Sequence, residues 1–322
     1  MSQVENWTFR NLRSWTASFL EKKGADSPLL ETEILLAHAA HTTRVDLFMR
    51  LDETPDDATR AAFRELVRRR GMGEPVAYLI GKKEFYALDF DVDSNVLVPR
   101  PETEQLALEA IEYIKKRAKT FGKSAKAIEN GSEESEPADG EGATAPETWN
   151  ICDVGVGSGC ISVALAKHVP NARIVAIDVS ASALDVAKKN AEKHGVGQKI
   201  EFVQSDLFAA FRRDLPEEAR FDMIVSNPPY VSETEYASLE PTVKNFEPEL
   251  ALVGGPTGAE LPIRLVEQAS EQIKSGGRLF LELSPTTVHA VAERLAADGR
   301  WQDVAVKKDF GNLERFVFAT RK

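Results

Sequence analysis

The apolar residues of the amino-terminal part recur every three or four positions, as they do on one face of a helix. Leu12, Trp15 and Phe19 form one such set, and a similar set occupies 63–67. Stretches rich in glycine, proline and aspartate separate the sets, and such residues favour turns. Residues 1–80 are therefore predicted to form a small helical domain.

A different pattern follows, in which apolar and polar residues alternate from 84 to 98. Alternation of this kind is typical of strands, and the polar residues at 93–95 favour a turn between them. Residues 81–100 are therefore predicted to be a β-hairpin that links two domains. A helix is expected from Pro101 to about Lys119, because proline suits the first helical turn.

The segment 129–148 has the composition of an unfolded chain. It is rich in glycine, serine, alanine, proline and acidic residues, and it has no aliphatic side chain larger than alanine. Such a segment cannot bury enough apolar surface to offset the conformational entropy that folding costs. We predict a disordered insertion there.

From residue 149 onward, predicted strands and helices alternate along the chain. The strands are 149–154, 173–177, 200–204, 222–226 and 278–283, and the helices are 158–167, 181–194, 261–274 and 287–297. This order implies an α/β fold with a parallel sheet that helices cover on both faces. The last two predicted strands, 303–307 and 315–320, are joined by a short loop and are expected to form an antiparallel hairpin at one edge.

Composition and charge narrow the classes of function. The chain has 322 residues with 43% hydrophobic content, which is enough for one large core and a smaller one. Lys and Arg total 40 against 51 Asp and Glu, a net charge of -11. Because this charge opposes binding to long stretches of phosphate backbone, we expect no direct nucleic-acid partner and favour a protein or small-molecule substrate.

The cysteines and the amino terminus bear on where in the cell the protein acts, and the histidines bear on whether it binds a metal. Cys152 and Cys160 fall within one predicted strand-loop-helix unit, which is more typical of a reducing compartment than of a disulfide framework. The start lacks the apolar core of a signal peptide, and no apolar run of about 18 residues occurs. The histidines lack metal-ligand spacing. A cytoplasmic protein without a metal or a membrane partner is expected.

A glycine-rich loop follows the strand that ends at Val154, and it runs Asp153-Val154-Gly155-Val156-Gly157-Ser158-Gly159. At the start of a helix, such glycines let the backbone approach a nucleotide-like ligand closely. Taken alone the loop is a weak signal, because dinucleotide enzymes use a similar turn and some such turns only pack a helix on a strand.

Two carboxylates at the next strand ends sharpen this signal. Asp178 ends one predicted strand, where it can accept both hydroxyl hydrogens of a ribose, and Asp206 follows the next. Either aspartate alone is equally consistent with a helix cap. A dinucleotide phosphate would gain from basic residues near the loop, whereas a cationic sulfonium tolerates Asp153, so S-adenosylmethionine is favoured over NAD.

The sequence Asn227-Pro228-Pro229-Tyr230 follows an apolar strand, at the sheet edge where α/β folds bind ligands. The prolines fix the backbone and lack N–H groups, so their carbonyls and the Asn227 amide oxygen are candidate acceptors for a planar NH₂ group. Tyr230 can stack on a flat substrate. A rigid turn without a functional role is the alternative, but the preceding loop and acids favour methylation of an amide or amine nitrogen.

Segments upstream of the glycine loop are the most specific part of the sequence. They are Arg69-Arg70, 73–79, Glu84-Phe85-Tyr86 and 98–104. Together with the loop and the turn, they resemble the peptide chain release factor glutamine N(5)-methyltransferases, the HemK or PrmC family, across most of the chain. DNA adenine methyltransferases share only the loop and the turn, so these segments favour a protein substrate.

The resemblance implies a fold and an activity. Residues 101–322 are expected to form a class I, Rossmann-like S-adenosylmethionine methyltransferase domain with a mainly parallel seven-stranded sheet and an antiparallel edge hairpin. The helical domain, residues 1–80, would dock a class I peptide chain release factor. S-adenosyl-L-methionine would be the cofactor, and the methylated atom would be the side-chain amide nitrogen of the glutamine in the Gly-Gly-Gln motif.

Roles implied by the resemblance fall on matching positions of this chain. Asp178 would hold the ribose, Asp206 and Leu207 would lie on the adenine side, and Arg100 and Thr103 would cover the cofactor. The predicted cofactor-binding residues are Asp153, Gly155, Val156, Gly157, Ser158, Gly159, Asp178, Asp206, Leu207, Asn227, Arg100 and Thr103. The predicted substrate-binding residues are Asn227, Pro228, Pro229 and Tyr230, of which Asn227 and Tyr230 are predicted to be catalytic.

Several positions depart from the family's pattern. Val156 replaces a small polar residue, and Leu207 replaces an aromatic one that could stack on adenine. Glu282-Leu283-Ser284 replaces an ending in glycine, and the segment 256–259 replaces Asp-Gly-Leu. We therefore expect a differently shaped loop after the Asn-Pro-Pro-Tyr turn.

Three other functions remain open at the level of sequence. A glutamine methyltransferase that acts on a ribosomal protein could share every motif. An adenine-N6 nucleic-acid methyltransferase is disfavoured by the acidic charge and by the lack of a basic recognition domain. A non-catalytic adaptor is disfavoured by the intact glycine loop and Asn227.

Overall fold

The computed structural model of the chain describes residues 7–129, 148–212 and 215–322, with side chains omitted for 119–129. These residues form two compact units. The first contains the chain up to Lys83 together with Val92–Ser94 and Leu239–Glu247, and the second contains Glu84–Asp91, Asn95–Ser238 and Pro248–Lys322. Every helix in the described ranges is too short or too polar to span a bilayer.

The first unit is helical, as the sequence predicts. Its amino-terminal helices are α1 (Phe9–Lys22), α2 (Pro28–Ala39), α3 (Arg44–Met49), α4 (Asp57–Gly71) and α5 (Val76–Ile80). Thr8, Thr43 and Asp56 precede three of these helices, and each side chain accepts a backbone N–H that the helix itself leaves unpaired. Phe9 and Phe63 are buried in one apolar cluster among the helices.

A β-hairpin connects this unit to the second one. Its strands are β1 (Lys82–Phe85) and β2 (Leu88–Asp91). Ser94 and Asn95 form a turn, as predicted, but it follows β2. The turn between the two strands lies at Tyr86 and Ala87 instead. Both turn residues have positive φ, 53° and 56°, as a type I′ loop requires. Neither is a residue that usually adopts this conformation, and the sequence therefore gives no sign of the turn.

The helix that follows, α6 (Pro101–Glu129), is longer than predicted. The prediction that it ends near Lys119 is wrong, because 123–129 consist mostly of lysine, alanine and other residues that tolerate a helix well. Residues 130–147, which make up most of the predicted insertion, lie outside the described ranges.

The second unit contains a seven-stranded sheet and its flanking helices. The remaining strands are β3 (Trp149–Val154), β4 (Ala172–Asp178), β5 (Ile200–Gln204), β6 (Phe221–Ser226), β7 (Val231–Ser232), β8 (Val253–Gly255), β9 (Ile273–Glu282), β10 (Trp301–Lys308) and β11 (Glu314–Arg321). The remaining helices are α7 (Cys160–His168), α8 (Ala181–Lys193), α9 (Glu233–Ser238), α10 (Pro241–Lys244), α11 (Glu260–Gln272) and α12 (Val288–Ala297), and of these α10 belongs to the first unit.

The sheet has the order β10-β11-β9-β6-β3-β4-β5. Its pairs are parallel from β9 to β5, and β11 is antiparallel to both β9 and β10. Successive residues of β3 point to opposite faces, so that Ile151 belongs to one large apolar cluster and Cys152 to the other. The predicted α/β fold with an antiparallel edge hairpin is confirmed.

The parallel pairing decides where functional side chains can meet. Because β3, β4, β5, β6 and β9 all run in the same direction, their carboxyl ends lie at one edge of the sheet. The register pairs Ser226 of β6 with Leu281 of β9. Asn227, the first residue after β6, therefore lies beside Glu282, the last residue of β9.

Candidate active site

A cavity of about 390 Å³ lies at the carboxyl edge of the sheet. This volume is within the range of small-molecule sites in proteins. Most of the predicted site residues line it: Arg100, Thr103, Gly155, Val156, Gly157, Ser158, Asp178, Asp206, Leu207, Asn227, Pro228 and Pro229. Asp153, Gly159 and Tyr230 were predicted as site residues but are not part of its wall.

The glycine loop owes its shape to backbone geometry and to contacts with β4. Gly155, Gly157 and Gly159 have φ values of 74°, 51° and 82°, which residues with a Cβ rarely adopt. The N–H groups of Gly155 and Val156 both donate to the carbonyl of Ile177, at 2.8 and 3.0 Å. A Cβ on Gly157 would meet no atom within 4 Å, so the loop presents bare backbone to open space.

Asp178 connects the end of β4 to this loop. Its carboxylate accepts the N–H of Gly157 at 3.0 Å and the N–H of Ser180 at 2.9 Å. Burial raises the pKa of Asp178, and the backbone hydrogen bonds oppose that rise. A carboxylate has about four lone-pair sites, so Asp178 retains acceptor capacity for hydroxyl groups of a ligand in the cavity.

Asp153 lies beneath the loop. The Ser162 hydroxyl donates to its Oδ2 at 2.6 Å, while its Oδ1 has no hydrogen-bond partner among the described residues. Burial raises the pKa of Asp153 to about 7, and the charge of Asp178 adds to the rise. The side chain therefore supplies an acceptor or a negative potential from below.

On the side of β5 the cavity wall is largely aliphatic. Leu207 has a φ of 49° and is buried, and Leu250 and Leu261 also line this part of the cavity. The Arg264 guanidinium donates to Asp206 Oδ2 at 2.8 Å. A ligand ring here would contact aliphatic side chains beside a half-exposed ion pair.

The side chain of Asn227 is held from α6. Its Nδ2 donates to Thr103 Oγ1 at 3.0 Å, which leaves Oδ1 as the acceptor of this amide. The backbone of the turn lies against two glycines: ideal Cβ atoms on Gly254 and Gly258 would lie 2.5 Å from the Pro229 oxygen and 2.3 Å from the Tyr230 oxygen. Only glycine fits at these two positions.

Glu282 and Arg315 are close enough to Tyr230 for their charges to shift its pKa, and neither was predicted as a site residue. Burial raises the pKa of Glu282 to about 7, although a hydrogen bond with Thr103 and the charge of Arg315 lower it. Burial also raises the pKa of Tyr230, and the Glu282 charge adds to this. Asp178 was predicted because it is an acidic residue at the end of a parallel strand, and the same pattern would also have predicted Glu282.

Across the part of the chain that the structure describes, no group of three or more histidine, cysteine, aspartate or glutamate side chains could hold a metal ion. Hydrogen-bond acceptors surround the open cavity at this edge, among them the Asp178 carboxylate and the Asn227 amide oxygen. Such acceptors can orient N–H and O–H groups of two ligands, one over the glycine loop and one at Asn227.

Comparisons with known proteins agree with this architecture. A family model described as PrmC N-terminal domain matches residues 11–81, and one described as Methyltransferase small domain matches residues 143–245. Among solved structures, the hMettl16 catalytic domain in complex with MAT2A 3′UTR hairpin 6 aligns with a TM-score of 0.50. It is 16% identical over 80% of this chain and 82% of that one, which is a likeness of fold alone.

Relatives with higher identity extend over almost the whole chain. The release factor glutamine methyltransferase of Rhodopirellula baltica is 42% identical over 98% of this chain and 98% of its own length. The one from Chlorobaculum tepidum is 36% identical, again over 98% of each chain. The sequence resemblance is thereby confirmed, and the chain belongs to the release factor glutamine methyltransferases.

Proposed function

We propose that the protein transfers a methyl group from S-adenosylmethionine to the side-chain amide nitrogen of the glutamine in the Gly-Gly-Gln motif of a class I release factor. One observation carries the proposal: the Asn227 amide oxygen is available as an acceptor on the wall of the cavity that the glycine loop also lines. The relatives named above, which are release factor glutamine methyltransferases, support the choice of substrate.

The residues of the cavity fit the proposed cofactor. The bare backbone at Gly155 and Gly157 suits the methionine part, and Asp178 suits the ribose. The aliphatic wall at Leu207 suits the adenine, and no stacking aromatic residue is needed to bury its faces. When bound, S-adenosylmethionine supplies a methyl group on a sulfonium centre, and the buried carboxyl groups at this edge favour a cation.

The substrate nitrogen needs orientation because its lone pair is delocalised into the carbonyl group of the amide. Asn227 Oδ1 and a backbone carbonyl of the turn can accept its two hydrogens and so direct the nitrogen towards the methyl group. The same acceptors would stabilise the positive charge that grows on the nitrogen as its bond to the methyl carbon forms and the carbon–sulfur bond breaks. One of the two hydrogens then leaves as a proton, which gives the neutral methylated amide. Both prolines line the cavity, but the Pro229 oxygen lies against Gly254, so the Pro228 carbonyl is the better second acceptor.

We assign the docking of the release factor to the helical domain, residues 1–80, with 81–100 as linker and 101–322 as the methyltransferase domain. Catalysis would then take place in the cytoplasm, where release factors act. Asp153 and Gly159 would support the cofactor from beneath and behind the loop, since neither lines the cavity. Tyr230 would contact the substrate from the edge of the turn.

The test is incubation of the protein with a purified class I release factor and S-adenosylmethionine labelled in its methyl group. We expect label on the glutamine of the Gly-Gly-Gln motif, located by mass mapping of peptides. A ribosomal protein and duplex DNA serve as competing substrates. Label on either of these, with none on the release factor, would replace the proposal with the corresponding alternative.

A further inference from the structure

Two side chains behind Asn227 form a hydrogen-bonded chain that ends on a buried acid. Asn227 Nδ2 donates to Thr103 Oγ1, and the Thr103 hydroxyl is hydrogen-bonded to the Glu282 carboxyl. Thr103 is 3% exposed and Glu282 is 1% exposed. We propose that Thr103 and Glu282 are positioning residues that keep the oxygen of the Asn227 amide, and not its nitrogen, directed at the substrate.

Which group donates and which accepts in these hydrogen bonds follows from the number of hydrogens available. A threonine hydroxyl has one hydrogen to donate, and an ionised carboxylate can only accept. With that hydrogen given to Glu282, the Thr103 oxygen can only accept from Asn227. The Asn227 nitrogen must therefore face Thr103, and its oxygen must face the other way.

Orientation matters because the two ends of an asparagine amide have almost the same shape. A flipped Asn227 would present an NH₂ group to the NH₂ group of the substrate, so donor would meet donor and the substrate would lose one of its two acceptors. Sterics alone cannot prevent the flip, whereas a hydrogen-bond partner of fixed polarity can. This inference rests on the proposed function, since it assigns Asn227 the same role.

The surrounding elements hold both positioning residues in place. Gln105, two residues beyond Thr103 on α6, donates to the Lys308 carbonyl at 3.1 Å and accepts the Phe310 N–H at 2.9 Å. These bonds tie the first turn of α6 to the loop between β10 and β11. Glu282 is fixed by its register with Phe316 of β11. The geometry of the chain is therefore set by the fold rather than by a ligand.

The charged groups that face Glu282 come from three directions. Arg315 on β11 favours the ionised form, as does Arg100, while Glu102 near the start of α6 opposes it. Tyr230 lies close enough for the Glu282 charge to raise its pKa. The Oε2 atom of Glu282 has no hydrogen-bond partner among the described residues. A protonated Glu282 could donate to Thr103 and release the threonine hydrogen towards Asn227, which would remove the fixed polarity.

The first experiment compares Thr103→Val with Thr103→Ser under steady-state conditions with release factor. Valine keeps the shape and removes the hydroxyl, so kcat should fall about 10- to 100-fold, the size of effect that misorientation produces, while KM for the release factor changes less than about threefold. Serine should restore most of kcat. Ser270→Ala is the control, because the Ser270 hydroxyl is also buried but donates to the Glu267 carbonyl within α11, away from the cavity wall.

A wild-type kcat in Thr103→Val would overturn the proposal, and so would a loss that serine does not restore. Calorimetric titration with S-adenosylmethionine should give a similar Kd for wild type and Thr103→Val, since a larger change would assign Thr103 to the cofactor instead. A wild-type protein that methylates no release factor would count against the proposed function, whereas an active wild type with an active valine variant would count against the positioning role alone.

The second experiment uses pH and remains informative if the valine variant folds poorly. Because only ionised Glu282 imposes the polarity, wild-type kcat should fall as pH decreases below about 7. Glu282→Gln should lower kcat at pH 8, since a glutamine amide can either donate or accept, and its pH profile should lack the acid limb. An unchanged acid limb in Glu282→Gln would overturn the role of Glu282.

Discussion

The glycine loop and the Asn-Pro-Pro-Tyr turn lie at one edge of the same sheet, but they are held in different ways. The loop is fixed by β4, the neighbouring strand and next strand in the chain, through Ile177 and Asp178. The turn is fixed by residues far away in sequence, for example Thr103, which is 124 residues from Asn227. Changes near the loop should therefore affect cofactor binding, and distant changes should affect the turn and the transfer step.

Alanine substitutions of Asn227 and of Asp178, the polar side chains that anchor the two regions, give the largest expected contrast. Asn227→Ala should lower kcat by about 10²- to 10³-fold, as the loss of one preorganised group at a reacting centre does, with a smaller effect on the Kd of S-adenosylmethionine. Asp178→Ala should mainly raise that Kd, because it removes the proposed ribose acceptor together with the partner of the Gly157 N–H. Equal effects of the two variants on Kd and kcat would abolish the distinction.

Alanine at glycines of the two regions gives the next contrast. Gly157→Ala places a residue with a Cβ at positive φ in open space and should cost about 1–2 kcal/mol. Gly258→Ala, at a φ of 84°, also forces its Cβ to within 2.3 Å of the Tyr230 oxygen, which adds about 1–3 kcal/mol. Urea denaturation measures both, and Gly258→Ala should also lose methyl transfer.

The regions resemble each other in one respect, since each contains a buried acid whose pKa is raised to about 7, Asp153 or Glu282. A carboxyl whose folded-state pKa is raised binds its proton more tightly in the folded state. Its contribution to stability is complete below the unfolded pKa and is lost as pH rises to about 7, by roughly 3–4 kcal/mol per group.

Thermal denaturation between pH 4 and 8 tests this sign. The decline of Tm with rising pH should be smaller in Asp153→Asn and in Glu282→Gln than in wild type. The two variants should differ in activity, because only Glu282 is hydrogen-bonded to the residue that holds Asn227. If the Tm of both variants followed that of wild type at every pH, burial would not be raising the pKa of either acid.

The smallest effect is expected from Arg264→Ala. Its ion pair with Asp206 is half exposed on both sides, and pairs of this kind contribute about 0–1 kcal/mol. Loss of the pair should leave kcat unchanged and shift the Kd of the cofactor less than about threefold, as measured by calorimetry. A larger shift would indicate that Arg264 contacts the adenine side directly.

The same contrast explains what the sequence could predict. The parallel sheet, its edge hairpin and the glycine loop follow from local patterns, and β3 and β5 have the predicted limits. The turn at Tyr86 and Ala87 gave no signal, because its residues are not the usual ones for positive φ. Nor does local pattern reveal what holds the turn at Asn227, because those contacts join residues that only the folded sheet brings together.

Two acidic residues at the carboxyl edge of the sheet, Asp153 and Glu282, show the same limit individually. Asp153 was predicted from its place beside the glycines, but in the structure it lies below the cavity wall. Glu282 was noted only as a departure from a family pattern, although its position at the end of β9 places it beside Asn227. Which of these two acids lies beside Asn227 depends on the order of the strands in the sheet, and the sequence does not state that order.

Glu282 makes the site a place where heat resistance and turnover are opposed. An ionised carboxyl buried at the end of β9 weakens the folded state near neutral pH, and the same carboxyl fixes the polarity of the Asn227 amide. A laboratory selection for heat-resistant variants alone should therefore enrich glutamine or an apolar residue at position 282. The proteins recovered would survive higher temperatures while modifying release factors more slowly, so such a selection needs a simultaneous screen for methylation.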